Sequence, residues 1–300
     1  MEDSDLVIKL GVDRVNLDEP MNLHTNMKVG GPADFYYEAQ NEEELKGAIL
    51  TAVGSKIPFT VLGLGANVLV SEKGIRGLVI VNRANSIKFL PHGFVEVESG
   101  VENTKLIRES ANRGLSGMER LMKVPGTIGG AIFMNAGDTG KKEFFGDLVE
   151  SVKVFDKEGK VKNLTKSEAD FSYRASRFQK SGEIILSAKI HLQHATQAEI
   201  EEKVRDILVR KSHHPTGATV GSTFKNPENY HSGELIEKAG LKGKKIGGAK
   251  ISERHANFII NEGEATANDV KELIDLMKKT VKDKFNVNLE EEVRYIGEWG

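Results

Sequence analysis

The spacing of apolar and polar positions changes near Thr196 and divides the chain into two regions. Before this point short apolar runs are interrupted by glycine, as in PFTVLGLGANVLVSEKGIRGLVIV (58–81), which predicts strand, glycine turn, strand, turn and strand. After it, TQAEIEEKVRDILVRK (196–211) and TANDVKELIDLMKKTVKDKF (266–285) carry apolar residues at helical spacing. The pattern predicts a glycine-rich, strand-rich N-terminal region followed by an α+β C-terminal region.

Shorter signals predict the remaining elements. Helical spacing indicates helices over 42–53 and over NTKLIRESANRG (103–114), the second with Asn103 as its N-cap and Gly114 as its stop. Thr196 with Glu199 has the pattern of a capping box. Period-two alternation predicts four further strands, at 94–99, 183–192, 255–261 and 292–297. It also predicts one hairpin at 151–164.

Composition limits the class of protein. The 300 residues are 39% apolar and 29% charged, as in globular proteins, and the net charge of −2 gives no reason to expect nucleic-acid binding. The absence of cysteine excludes disulfides and thiolate chemistry. The N-terminal stretch MEDSDLVIKLGVD lacks the apolar segment of a signal peptide, and no apolar run approaches the roughly 20 residues of a membrane helix. We therefore expect a cytoplasmic protein without membrane insertion.

The first glycine-rich stretch, VLGLGANVLV (61–70), suggests a nucleotide site of an unusual kind. A dinucleotide fingerprint is excluded, because Gly63 and Gly65 are followed by a strand pattern and not by a third glycine and a helix. A tight turn of backbone amides can still hold a diphosphate. The alternative is a plain hairpin with glycine turns.

The second glycine-rich stretch is KVPGTIGGAIFMNAGDTG (123–140). Thr127 is a candidate cap for a helix start, and the backbone amides with Asn135 and Gly137 suit a phosphate or the polar edge of a flat ring. The alternative is a helix start in which glycines only permit close packing under a strand.

Two groups of basic and imidazole side chains have weaker signals. In FSYRASRFQ (171–179), Arg174 beside aromatic residues suits anion recognition, and a basic surface loop is the alternative. His213, His214 and His255 invite a metal hypothesis, but no acid or third histidine lies at ligand spacing within one segment. We therefore predict no metal site and interpret the histidine pair as the polar end of a helix.

The stretch GSTFKNP (221–227) contains a serine of uncertain role. It matches neither the G-x-S-x-G elbow nor a P-loop, so Ser222 is left as a proton donor or a residue of a polar loop. Lys225 and Asn226 are candidates to bind a phosphate. In NLEEEVRYIG (288–297), the three glutamates form either a solvated edge or an edge from which one side chain points into a cleft.

Several stretches together resemble one enzyme family. They occur in the order expected of the UDP-N-acetylenolpyruvoylglucosamine reductase family, and the resemblance runs from about residue 22 to 297. They are MKVGGPADFYYEA, GLGANVLV, VPGTIGGAIFMNAG, YRASRF, GSTFKNP, AGLKGKKIGGAKISERHANFIIN and EEVRYIG. The short passage from GSTFKNP to SGELIEKAGLKG resembles the family's shorter type, which lacks a tyrosine-bearing loop.

The resemblance implies an α+β fold with an FAD-binding region of the vanillyl-alcohol-oxidase (PCMH) type, made of two subdomains. It implies an N-terminal extension (1–21), an FAD-binding domain (22–194) and a substrate-binding C-terminal domain (195–300). FAD would be bound non-covalently, since there is no cysteine and no histidine in the glycine stretches. The residues it assigns to FAD are Gly63, Leu64, Gly65, Ala66, Asn67, Pro125, Gly126, Thr127, Gly129, Gly130, Asn135 and Gly137. Ala66 stands where many members have serine, which removes one hydroxyl donor.

The resemblance also implies a reaction. NADPH would reduce FAD, and the reduced flavin would transfer a hydride from N5 to the vinyl C3 of UDP-N-acetylglucosamine enolpyruvate, giving UDP-N-acetylmuramate for peptidoglycan. By motif position, Ser222 would donate the proton to C2, and Arg174 and Glu292 would stabilise the carboxylate. Glu292 can donate a hydrogen bond only if its pKa is raised. Lys225 and Asn226 would bind the diphosphate of this UDP-sugar.

Two other functions are compatible with the residues alone. A flavin oxidase on the same scaffold would pass electrons to oxygen, and a non-catalytic nucleotide-binding module would need no conjunction of Arg174, Ser222 and Glu292. Oligomeric state is not predicted.

Overall fold

The computed structural model describes residues 2–156 and 158–299, which form two units. Unit 1 comprises Met1–Val15, Tyr37–Gly63 and Ile80–Ser212, and unit 2 comprises Asn16–Tyr36, Leu64–Val79 and His213–Gly300. Neither unit is contiguous in sequence, and the domain limits at 21 and 194 remain predictions.

Eight α-helices and eighteen strands lie in the described part of the chain. The helices are α1 (Glu2–Leu10), α2 (Glu42–Gly54), α3 (Asn103–Ala111), α4 (Ile128–Phe133), α5 (Phe178–Ser181), α6 (Gln197–Arg210), α7 (Ser232–Lys238) and α8 (Ala267–Phe285). The first nine strands are β1 (Val15–Pro20), β2 (Pro32–Ala39), β3 (Phe59–Leu62), β4 (Val68–Val70), β5 (Ile75–Asn82), β6 (Ile87–Phe89), β7 (Phe94–Glu98), β8 (Leu115–Ser116) and β9 (Gly137–Asp138). The others are β10 (Glu143–Phe144), β11 (Val149–Phe155), β12 (Val161–Thr165), β13 (Ile184–His191), β14 (Gln193–His194), β15 (Lys245–Ile246), β16 (Ala249–Ile251), β17 (Ile259–Asn261) and β18 (Arg294–Ile296).

The core of unit 1 lies on one face of a five-stranded antiparallel sheet. Its strand order is β12-β11-β13-β7-β6, and β11 with β12 is the hairpin predicted over 151–164. In β7, Val95 and Val97 are buried while Glu96 between them is exposed, the alternation expected of a half-buried strand. The same cluster contains Leu106 of α3 and Ile132 of α4, so the sheet supports both helices.

The core of unit 2 forms around α8. Thr266 and Asp269 close its first turn as a capping box, and the buried stripe runs through Val270, Ile274 and Met277. The stripe belongs to one cluster with residues of the antiparallel sheet β15-β16-β17. In the same unit, β18 pairs in parallel with β4.

Most predicted elements are confirmed, with three differences at their ends. The predicted N-cap Asn103 is the first residue of α3, and Glu102 occupies the cap position. The helix also ends earlier than predicted, since Ala111 is its last residue and Asn112, not Gly114, follows it as the C-cap. The strand predicted over 255–261 is confined to β17, because residues before it form a turn in which Asn257 donates to the His255 ring. Among the described residues, no helix combines the length and apolar character needed to span a bilayer.

Candidate active site

The second glycine-rich stretch forms a capped helix start in unit 1. Thr127 is the N-cap of α4, and its hydroxyl accepts a hydrogen bond from the Gly130 N–H at 3.4 Å. A side chain on Gly63 would overlap this hydroxyl, so the two positions are in contact only because Gly63 lacks a Cβ. Gly130 is exposed, and a Cβ there would meet nothing closer than Thr127 Oγ1 at 3.8 Å. The start of α4 therefore presents an open, small-residue surface.

Two backbone N–H groups at the start of α4 already donate to carbonyl groups of unit 1. The Ile128 N–H donates to Val101 O at 2.8 Å, and the Gly129 N–H donates to Ser99 O at 2.7 Å. These bonds hold the α4 start against the end of β7. The glycines therefore permit close packing, as one alternative from the sequence predicted. Gly130 is open, and the cofactor contact that the other alternative placed in this stretch stays a prediction.

Asn135 and Gly137 organise the loop after α4. The Asn135 side chain donates to Ser172 O and accepts from the Gly146 N–H, both at 2.8 Å. Gly137 lies against the backbone of Glu143, where a side chain would overlap. The amide of Asn135 thus has a partner on each side within unit 1.

The first glycine-rich stretch forms a turn in unit 2. Gly65 has a φ of 60°, and a side chain there would overlap His24 O. Within the described residues, the backbone N–H groups of Leu64, Gly65 and Ala66 donate to no acceptor. Three successive donors in a turn form a nest that suits an anion. Asn67 closes the turn by donating from Nδ2 to Glu292 O at 3.0 Å.

Arg174 lies at the tip of a tight turn in unit 1. Its φ of 53° is in the left-handed region, and its guanidinium donates to Gly137 O and Thr139 Oγ1, both at 3.3 Å. It also lies within 6 Å of the rings of Phe144 (5.8 Å) and Tyr173 (5.7 Å). A left-handed non-glycine residue held by several contacts is typical of functional sites.

A network of buried charge lies near this loop in unit 1. Asp138 forms an ion pair with Arg210 at 2.7 Å. Burial alone would raise the pKa of Asp138, but the hydrogen bond from Arg210 and the charge of Lys211 outweigh burial and hold it below its usual value. Lys211 is buried, and desolvation lowers its pKa to about 8 even though Asp138 acts in the opposite direction.

Ser222 lies on an extended segment of unit 2 that is paired on both sides. On one side Ser222 forms a bridge with Phe258, and the next N–H, of Thr223, donates to Asn257 O at 2.8 Å. The Asn257 side chain accepts from the Phe224 N–H at 3.0 Å and donates to Phe224 O at 2.8 Å. These bonds fix the backbone that carries the Ser222 hydroxyl.

Glu292 lies on the other side of the same segment. Its N–H donates to Thr223 O at 2.8 Å, so Ser222 and Glu292 belong to neighbouring backbone segments of unit 2. The preceding glutamates pair with different lysines, Glu290 with Lys225 and Glu291 with Lys278, each at 2.6 Å.

The two residues predicted to bind phosphate have partners in unit 2. Lys225 pairs with Glu290, whose side chain is 73% exposed, and such a pair contributes little to stability. The Asn226 amide oxygen accepts from the Ser232 N–H at 3.0 Å at the start of α7. Ser232 also donates its hydroxyl to Lys225 O.

Three histidines that the sequence places in two segments meet in unit 2. His213, His214 and His255 each offer a ring nitrogen, and these atoms lie within 4.8 Å of one another. Burial, and then the charge of His213, lowers the pKa of His255 to about 4, so the neutral ring is favoured.

Comparison with known proteins covers nearly the whole chain. A family model described as an FAD binding domain matches residues 33–165, and one described as the UDP-N-acetylenolpyruvoylglucosamine reductase C-terminal domain matches residues 212–296. The reductase of that name from Lachnoclostridium phytofermentans is 39% identical over 296 residues, which cover 96% of this chain and 95% of the relative. The chain belongs to the UDP-N-acetylenolpyruvoylglucosamine reductase family.

Two further members of the reductase family support this assignment. The reductase from Caldanaerobacter subterraneus is 42% identical over 287 residues, covering 95% of this chain and 94% of the relative. The crystal structure of the reductase from Thermus caldophilus is 32% identical, with a TM-score of 0.80, and covers 94% of this chain and 98% of that one. The predicted α+β fold, with a PCMH-type FAD-binding domain and a C-terminal domain of the reductase family, is confirmed. This member of the reductase family is thus an FAD-dependent oxidoreductase.

Sequence reasoning missed residues that organise the candidate site of this reductase family member. Asn257 holds Phe224 from 33 positions away, and HANFII carries no local signal of that role. The helical spacing over 196–211 places Lys211 in an amphipathic helix, whereas it is the buried C-cap residue that follows α6. Asn135 and Arg174 both have a positive φ. Asparagine tolerates this conformation, so the residue type is compatible with it at position 135. At position 174 nothing in the sequence predicts it, because arginine rarely has a positive φ.

Proposed function

We propose that this protein reduces UDP-N-acetylglucosamine enolpyruvate to UDP-N-acetylmuramate with NADPH, a step in peptidoglycan precursor synthesis. The observation that supports this proposal is the likeness to reductases of that name along the chain, with identities near 40%. In the proposal, residues 22–194 bind FAD, residues 195–300 bind the UDP-sugar, and residues 1–21 are an extension.

The residues present fit FAD in both units. In unit 2 the free N–H groups of Leu64, Gly65 and Ala66 suit a diphosphate. In unit 1 the open surface at Gly130, beside the Thr127 hydroxyl, permits a flat or charged group to approach the backbone. FAD, when bound, supplies a hydride from N5 of its reduced ring.

In this proposal the Ser222 hydroxyl donates a proton to C2 of the substrate. A serine hydroxyl is a weak acid, so it must be positioned against a strongly basic carbon. Two hydrogen bonds of Thr223 supply that positioning: its N–H donates to Asn257 O, and its C=O accepts from the Glu292 N–H. They restrain the backbone next to Ser222 on both sides.

We propose that Arg174 and Glu292 stabilise the negative charge that develops on the substrate carboxylate. Arg174 already has its guanidinium oriented by carbonyl and hydroxyl acceptors, so little reorganisation is needed when charge develops. The Glu292 side chain is half-buried, and as a protonated acid it would donate a hydrogen bond.

Lys225 and Asn226 are proposed to bind the substrate diphosphate. The exposed partner Glu290 is easily exchanged for a dianion, because exposed ion pairs are worth at most about 1 kcal/mol. Asn226 holds the start of α7 through Ser232 and would bind the diphosphate from that fixed position.

The test separates the two half-reactions by stopped-flow absorbance of the flavin. For Ser222→Ala we expect flavin reduction by NADPH to stay within about twofold of wild type and flavin reoxidation by the enolpyruvyl substrate to fall by about 10²–10⁴-fold. Ser167→Ala, which removes an exposed hydroxyl from unit 1, should leave both rates unchanged. If Ser222→Ala keeps both rates, the proton-donor role is wrong. Reoxidation by oxygen but never by the enolpyruvyl substrate would instead indicate a flavin oxidase.

A further inference from the structure

The three-histidine cluster of unit 2 consists of His213, His214 and His255. Their ring centroids are 4.8–5.4 Å apart, and the ring nitrogens lie within 4.8 Å of one another. His213 and His255 are about 40 positions apart in sequence, so the fold creates the cluster. The proposed reduction assigns no role to it.

The sequence predicted no metal site here, because the three histidines do not lie within one segment, but the fold brings them together. We propose that the three-histidine cluster is a binding site for one divalent transition-metal ion of the Zn²⁺, Co²⁺, Ni²⁺ or Cu²⁺ class. Neutral imidazole nitrogen is a preferred ligand of these ions, whereas Mg²⁺ and Ca²⁺ prefer oxygen. With Zn–N bonds of about 2.0–2.1 Å, a tetrahedral site needs nitrogens roughly 3.3 Å apart. The observed upper limit of 4.8 Å is within reach of that value by modest rotation of the side chains.

The surroundings of the cluster leave one side open to an ion. His213 is exposed, while His214 and His255 are half-buried and both contact the Phe258 ring, at 5.1 and 5.0 Å between centroids. A side chain on Gly233 would meet His255 Cε1 at 2.6 Å and Nδ1 at 3.1 Å, so Gly233 packs closely against the Nδ1 side of this ring. Three protein ligands and one position open to water is the arrangement of an accessible metal site.

Binding has a cost that limits affinity. His255 Nδ1 accepts a hydrogen bond from the Asn257 N–H at 3.1 Å. An ion bound at Nδ1 displaces this N–H, and an ion bound at Nε2 requires the ring proton to be on Nδ1, facing the N–H. Either choice breaks the hydrogen bond, so the site is weaker than a structural zinc site.

Two charged side chains near His255 allow the affinity of the cluster for a cation to be changed without changing a ligand. Lys242 and Glu237 form an ion pair at 2.7 Å, and the charges of both act on His255. Lys242 opposes a bound cation and Glu237 favours it. Removing the lysine charge should therefore strengthen binding of the ion without altering any ligand.

The experiment titrates the full chain with Co²⁺ and follows ligand-field absorption in the visible range, with Zn²⁺ as a competitor. We expect one ion per chain, displacement by Zn²⁺ and none by millimolar Mg²⁺. His213→Ala and His255→Ala should each weaken binding at least about tenfold. His194→Ala, at an exposed histidine of unit 1, is the matched control and should bind as wild type does. Lys242→Gln should bind a few-fold more tightly at low salt.

Hydrogen exchange supplies a readout separate from absorption. The Asn257 amide should exchange faster when Zn²⁺ is bound, because its acceptor is lost. Binding that survives both His213→Ala and His255→Ala, or no binding at all, would overturn the proposal. His213→Ala decides the matter if His255→Ala does not fold, since His213 is exposed. None of these measurements uses catalytic activity, so they are independent of the proposed function.

Discussion

Lys211 offers the sharpest test of the electrostatics in unit 1. It is only 8% exposed, and its Nζ donates to Met122 O at 3.0 Å. Burial is the largest influence on it, and the positive charges of Arg174 and Arg210 add to that effect. Together they lower its pKa from 10.5 to about 8 despite the attraction of Asp138.

The magnitude follows from that shift in pKa. The difference between a pKa of 10.5 and one of about 8 corresponds to roughly 3 kcal/mol by which the folded state disfavours the charged lysine. Between pH 8 and 10.5 the unfolded chain binds more protons at this group than the folded chain, so stability rises with pH in this window. The penalty is fully present below pH 8. At pH 10 the wild type should have recovered about 2.5 kcal/mol of it.

The perturbation is Lys211→Met, which keeps the length of the side chain and removes the charge. The variant loses the hydrogen bond to Met122 O, worth about 1 kcal/mol, and escapes the penalty of roughly 3 kcal/mol. We expect its free energy of unfolding at pH 7 to exceed that of wild type by about 2 kcal/mol. This advantage should vanish by pH 10.

The assay is urea denaturation followed by circular dichroism at pH 7, 8.5 and 10. Lys166→Met is the matched control, because Lys166 also donates to a carbonyl, Asp147 O at 2.9 Å, but is exposed. Its effect should be small and independent of pH. If Lys211→Met is less stable than wild type at pH 7, by an amount that does not change up to pH 10, the assigned desolvation of Lys211 is wrong.

Three further predictions concern the candidate site. Thr127→Ala removes the cap of α4 and should lower the free energy of unfolding by about 1 kcal/mol in urea denaturation, and no loss would contradict the cap. Gly63→Ala should destabilise the FAD-free protein, because the new Cβ overlaps Thr127 Oγ1. Gly130→Ala, whose Cβ enters open space within α4, should raise stability by up to about 1 kcal/mol yet weaken FAD binding in a fluorescence titration. Equal FAD affinity in Gly130→Ala and wild type would remove Gly130 from the proposed cofactor site. Asn257→Ala leaves the buried N–H and C=O of Phe224 without their side-chain partner and should cost about 2–4 kcal/mol by urea denaturation, whereas a loss under about 1 kcal/mol would show that other groups replace it.

Local chemistry predicted the elements of this protein well. The capping box predicted at Thr196 and Glu199 starts α6, because a hydroxyl and a carboxylate three residues apart satisfy the free backbone N–H groups of the first helical turn. The helix predicted from its apolar spacing over 266–285 is α8. The strand after Gly65 likewise excluded a dinucleotide fingerprint, and β4 follows that turn in the structure. Such signals work because both partners lie within one turn of the chain.

The candidate site depends on longer contacts, and only some of its residues were recognisable beforehand. Motif resemblance pointed to Ser222, Arg174 and Glu292, but not to Asn257, which holds the Ser222 segment. Motif resemblance also did not indicate that the Ile128 and Gly129 N–H groups donate to carbonyls of unit 1. Since these two donors are already used, the start of α4 offers a ligand mainly open space.

The sequence by itself determined the helical and strand periods, the capped helix starts and the family to which the ordered motifs belong. Only the tertiary structure decided that Lys211 is buried among charges and that His255 joins His213 and His214. The physical reason is that periodicity and capping are read from neighbouring residues, whereas desolvation and the meeting of distant polar groups depend on how the whole chain packs.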